Sequence, residues 1–177
     1  MKKVLLGILM YIVFLIIYFL QANFFNWFTI AGVSPNLFII LIVYLGLFTD
    51  NKFSIILSLL IGLTLDLVGG KSIGVTSITY GLSALICNQF DKNFSKENKF
   101  SILLLIIGIT IICEVITYFS NCFLLEIDLE FVPFIKILAI ETLYNTILTF
   151  IFYNFIIKFG GKIERQFKQR NILTRYF

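Results

Sequence analysis

Long apolar segments dominate the chain, and each is close to the roughly 20 residues that cross a bilayer as a helix. Short stretches that hold most of the charged residues separate them. Six segments can be assigned, at residues 4–21, 36–48, 53–68, 73–90, 101–124 and 132–157. Only 14% of residues are charged and 59% are hydrophobic, whereas a soluble domain carries about 25% charged residues. The sequence therefore predicts an all-α integral membrane protein with about six transmembrane helices in one compact bundle.

The basic residues predict how this bundle is oriented. Lysine and arginine are enriched in the cytoplasmic loops of membrane proteins. With a cytoplasmic N-terminus, nearly all basic residues fall inside, and the acidic loop 126–130 falls outside. We expect a membrane domain over residues 1–157, a retained first span, and a basic cytoplasmic tail over residues 158–177. The tail is either a simple electrostatic anchor or a docking site for a cytoplasmic partner.

Asp66 is a carboxylate within an apolar segment, where lipid cannot solvate it. Such residues usually face a bundle interior or a water-filled cavity. Asp66 belongs to a series of small or polar residues spaced every four positions: Ser54, Ser58, Gly62, Asp66 and Gly70. Because a four-residue period drifts around an α-helix, we expect Gly62, Asp66 and Gly70 to meet one neighbouring helix, and Ser54 and Ser58 another.

Further polar residues follow helical spacing in the last two apolar segments. Glu114 lies in the fifth, and Glu141 and Asn145 lie one turn apart in the sixth. Residues one turn apart share a helix face, so we expect these faces to turn inward and Asp66 to join a common polar cluster. Three interpretations stay open: a hydrogen-bonded core, a ligand or ion site, and a site shaped for a partner helix.

The composition argues against an enzyme. The chain has no histidine, which removes the commonest general base and metal ligand. Cys87, Cys113 and Cys122 match no zinc or redox spacing and are expected to pack as small hydrophobic residues. We expect no cofactor and no metal. The basic residues are explained by topology, so no nucleic-acid partner is expected.

Several short motifs, in order, resemble those of the MreD family. Pro35 and Asn36 precede an apolar run, as in that family's second span. The string from Gly62 through Asp66 to Gly70, followed by Gly74, resembles its third-to-fourth helical hairpin. Glu114 stands where relatives often carry an acidic residue, and the stretch from Asn145 resembles a polar patch of the last span. The resemblance extends from residue 35 to about residue 167.

This resemblance implies a non-enzymatic scaffold of the bacterial elongasome, in the cytoplasmic (inner) membrane, that supports peptidoglycan synthesis and cell shape. Its implied partners are MreC and, through the complex, MreB, RodA and a class B penicillin-binding protein, besides membrane lipids. The family is also similar in fold to the substrate-binding subunits of energy-coupling-factor transporters. The alternative function is therefore the membrane subunit of a vitamin transporter.

Overall fold

The computed structural model describes residues 2–69, 72–93, 98–126 and 128–167, and regular structure within these ranges is helical. The helices are α1 (Lys2–Asn23), α2 (Leu37–Phe48), α3 (Asn51–Gly69), α4 (Val75–Asn93), α5 (Lys99–Leu125) and α6 (Phe131–Phe167), with a 3₁₀ turn at Phe25–Trp27. Helices α1, α3, α5 and α6 are long and apolar enough to cross a membrane. The prediction of a helical membrane protein is thus confirmed. The count of six spans and the likeness to transporter subunits stay predictions.

Helix α2 forms the centre of the bundle. It is apolar around its whole circumference, and nearly all of its residues are buried, as expected for a helix surrounded by others. It contacts each of the other five helices. Because α2 has only 12 residues, it is shorter than a typical membrane-crossing helix, and its polar start lies inside the bundle.

Helices α3 and α4 form the most extensively packed pair. Small residues line their contact, which lets two backbones approach closely. Helix α1, by contrast, lies at the periphery. Met10 and Phe14 are buried on its inner face. Most of its large apolar side chains are exposed and available to contact lipid.

The beginning of α1 and the end of α6 lie at the same end of the bundle. The ring of Phe53, near the start of α3, lies 4.5 Å from the ring of Phe167. The same Phe53 ring lies next to Gly7 of α1. Helix α6 continues past the predicted boundary at residue 157, so residues 158–167 are helical. The rest of the predicted tail, residues 168–177, lies outside the described residues.

Candidate functional site

The Asp66 carboxylate, on α3, caps the beginning of α4. It accepts hydrogen bonds from the backbone amides of Gly74 (2.9 Å), Thr76 (3.2 Å) and Ser77 (3.1 Å). The first amides of a helix have no partner within the helix, and the positive end of the helix dipole attracts negative charge. Asp66 is only 6% exposed. Its placement among apolar residues is therefore compensated by peptide groups of the neighbouring helix.

Two glycines make this cap possible. A Cβ atom on Gly62 would lie 2.5 Å from Cα and 2.7 Å from the backbone nitrogen of Ser77, so only glycine lets α3 come this close to α4. Gly74 has φ +99°, a left-handed conformation that favours glycine. Ser77 completes the junction, because its hydroxyl donates to the carbonyl of Leu59 over 2.9 Å.

The turn between α3 and α4 is also tied to α5. The Ser72 hydroxyl donates to Oδ1 of Asn121, so a third helix fixes the segment that precedes the cap. Gly70, which we singled out with Gly62 and Asp66, lies outside the described residues.

The α3–α4 contact near the beginning of α3 corrects one prediction. We expected Ser54 to meet a different helix from the one that Gly62 and Asp66 meet. Instead, Nδ2 of Asn88 on α4 donates to Oγ of Ser54 over 2.8 Å. Ser54 and Asp66 therefore contact the same helix, although a four-residue period turns gradually around α3. The reason is that α3 and α4 stay in contact along the hairpin.

A second polar network surrounds the beginning of α2. Asn145 of α6 is fully buried, and its Oδ1 accepts from the backbone amide of Asn36 at 2.8 Å. Its Nδ2 donates to the Thr110 hydroxyl of α5 at 3.3 Å. The Asn36 side chain in turn accepts from the amide of Ile39 and caps α2. Asn145 therefore joins the helices α2, α5 and α6 through one amide.

Gln21, at the end of α1, also binds the backbone at the beginning of α2. Its Nε2 donates to the Pro35 carbonyl over 2.7 Å, and its Oε1 accepts from the amide of Leu37 over 2.9 Å. Sequence reasoning missed this role. The available signal was a polar amide at the end of an apolar segment, which alone does not reveal its distant partner.

Glu114 and Glu141 lie against each other next to this network. The two carboxyl groups are close enough to interact, and Glu141 also lies close to the Asn36 side chain. Oε1 of Glu141 is buried and has no hydrogen-bond partner among the described residues. The pair is an internal contact between α5 and α6.

The predicted polar residues thus fall into two hydrogen-bonded networks. Asp66 bonds to the start of α4, whereas the glutamate pair and Asn145 belong with the start of α2. Within the described ranges, no group of three or more His, Cys, Asp or Glu residues is arranged to hold a metal ion. Most of the polar atoms in both networks bond to groups on neighbouring helices. Both networks therefore connect helices within the bundle.

Asn145→Leu is expected to lower the free energy of unfolding by roughly 1–3 kcal/mol, because it leaves the half-buried Asn36 amide without its partner. The matched control is Asn154→Leu, since Asn154 lies on the same helix but is exposed. Thermal unfolding of both variants in the same detergent measures the difference. Equal midpoints for the two variants would contradict a joining role for Asn145.

Comparison with known proteins gives one match. The family model of MreD, described as rod shape-determining protein MreD, matches residues 1–162. No curated protein and no solved structure matches the chain. The matched range includes the capped α3–α4 hairpin and the network around α2. The chain therefore belongs to the MreD family of rod shape-determining membrane proteins.

Proposed function

We propose that this protein is a non-enzymatic scaffold of the cell-elongation machinery, which binds MreC directly. Through MreC it would join MreB, RodA and a class B penicillin-binding protein, and so support lateral peptidoglycan synthesis. Membership of the MreD family carries the coarser conclusion, a role in rod-shape determination. The finer proposal is supported by the way in which the polar residues are used.

The observation that supports the scaffold function is that the Asp66 carboxylate is hydrogen bonded to the protein's own backbone. Three backbone amides at the beginning of α4, those of Gly74, Thr76 and Ser77, donate to its carboxylate. A small-molecule site needs directed polar groups that converge on a cavity, whereas this carboxylate converges on a helix end. The geometry favours a rigid hairpin over a vitamin-binding pocket as the purpose of the motif that contains Asp66.

The proposed location is the bacterial cytoplasmic membrane, with both termini in the cytoplasm. The shared position of the start of α1 and the end of α6 supports this topology. The basic residues Arg165 and Lys162 near the end of α6 then lie on the inner side, in agreement with the positive-inside rule.

Affinity purification of the full chain from its native membrane tests the proposal. We expect MreC to copurify and cells depleted of the protein to become round. Detection of a stoichiometric vitamin in the purified protein, together with loss of vitamin uptake on depletion and unchanged shape, would instead establish the transporter subunit.

The tail offers a separate prediction. Because Phe167 is buried against Phe53, a truncation should begin after residue 167. We expect removal of residues 168–177 to leave MreC recovery within about twofold of the full chain, since each basic residue near an anionic surface contributes only about 1 kcal/mol to membrane attachment. Loss of a cytoplasmic partner with normal membrane insertion would show that the tail is a docking site.

A further inference from the structure

A groove lies between the beginning of α1 and the end of α6. Its volume is about 830 Å³, within the roughly 300–1,000 Å³ typical of ligand pockets. Helix α1 supplies an apolar wall, and α6 supplies two polar side chains. Among the residues that the structure describes, the groove is lined by Leu5, Leu6, Ile8, Leu9, Ile12, Arg165 and Gln166.

The groove is apolar along its length and cationic at one end. Residues 5–12 of α1 cover two helical turns, about 10 Å along the membrane normal. Arg165 lies in the last turn of α6 and is exposed. Since Phe53 joins Gly7 to Phe167 at this end of the bundle, the guanidinium lies where the apolar wall reaches the membrane surface.

We propose that this groove binds an anionic phospholipid. Its acyl chain would lie along the α1 wall and its phosphate would meet Arg165, with Gln166 able to donate a further hydrogen bond. A guanidinium matches the geometry of a phosphate, and basic pockets between membrane helices bind anionic headgroups. An apolar wall that opens to the bilayer is otherwise filled by lipid chains, and Arg165 adds the selection for charge.

Lipid titration of the purified full chain tests this proposal. Binding of phosphatidylglycerol and phosphatidylcholine is followed by native mass spectrometry. We expect the wild type to prefer phosphatidylglycerol, and Arg165→Ala to bind it about fivefold more weakly, as expected for one basic group, with phosphatidylcholine unchanged. The matched control is Lys52→Ala, which removes one exposed positive charge from the same end of the bundle and should keep the preference.

The apolar wall has its own test. Leu9→Trp fills the groove and should reduce binding of both lipids, whereas Leu104→Trp should not. Leu9 and Leu104 are 51% and 52% exposed, so the second variant controls for adding an indole to a lipid-facing position. Both variants add bulk at exposed sites, so folding is expected to be preserved.

Three outcomes would overturn the proposal. Equal losses for Arg165→Ala and Lys52→Ala would indicate diffuse attraction to the membrane surface. Displacement of phosphatidylglycerol by inorganic phosphate alone would indicate a simple anion site. A photocrosslinker at position 9 that captures a polypeptide rather than lipid in native membranes would show that a partner helix fills the groove.

Discussion

Gly62→Ala is expected to destabilise the protein by roughly 1–3 kcal/mol, although alanine favours helices over glycine. The added Cβ would lie 2.5 Å from Cα of Ser77. The obstacle is backbone, so no side-chain rotation can relieve the overlap and α3 must move away from α4. The same movement stretches the hydrogen bonds between Asp66 and the start of α4, which adds to the loss.

Two other glycines provide matched controls for Gly62→Ala. A Cβ on Gly81, in the same helix pair, would meet the flexible end of Leu59, and one on Gly108 would meet nothing within 4 Å. We expect Gly81→Ala to cost less than Gly62→Ala, and Gly108→Ala to be neutral or to stabilise by up to about 1 kcal/mol. Equal costs at all three positions would contradict close backbone packing as the reason for Gly62.

The native cysteines make these stabilities measurable. Cys87 and Cys113 are buried as predicted, and Cys122 is half-buried. In a Cys122→Ala background, a thiol-reactive fluorophore reports the temperature at which the two buried thiols become accessible. The ranking of midpoints then gives the ranking of the glycine variants.

Asp66→Leu is the second large effect that we predict. It removes three hydrogen bonds to a nearly buried carboxylate and leaves the first amides of α4 without their cap. Bonds to charged groups contribute about 1.5–3 kcal/mol each and are not additive, and loss of a cap alone costs about 1 kcal/mol. We therefore expect a total of about 3 kcal/mol or more.

Asp66→Asn separates the loss of charge from the loss of shape. Asparagine keeps one acceptor oxygen, but its NH₂ group faces a backbone amide that also needs an acceptor. We expect an intermediate loss of stability for Asp66→Asn and almost none for Leu67→Ala, since Leu67 is 62% exposed on the same helix. We also expect Lys71→Ala to impair complex formation less than Asp66→Leu. A leucine at position 66 that left the unfolding midpoint unchanged would refute the capping function.

Much of this architecture could be predicted from the sequence, because membrane helices are set by local hydrophobicity. Four of the six apolar segments fall within helices, and the other two, predicted from residues 36 and 73, do so from residues 37 and 75. The close approach of another helix at Gly62 was predictable, because Gly62 is a small residue one turn from a carboxylate in an apolar segment. Asp66 could be singled out because an isolated charge in an apolar run requires a partner.

The partners of these residues could not be predicted, because they are mainly backbone groups that every sequence possesses. Nothing in the residue types shows that Asp66 meets the amides of Gly74 and Ser77, or that Asn145 meets the amide of Asn36. Gly46 illustrates the same limit. Its Cβ would lie 2.4 Å from Cβ of Cys87, a contact between helices that depends on their arrangement.

We propose that the Asp66-capped hairpin supports the surface by which the protein binds MreC. The most direct measurement is recovery of MreC from native membranes by tagged full-length protein, with wild type, Asp66→Leu and Leu67→Ala at matched amounts. We expect wild type and Leu67→Ala to recover MreC equally, and Asp66→Leu to recover at least tenfold less. Equal recovery by Asp66→Leu, or no MreC with the wild type, would contradict it.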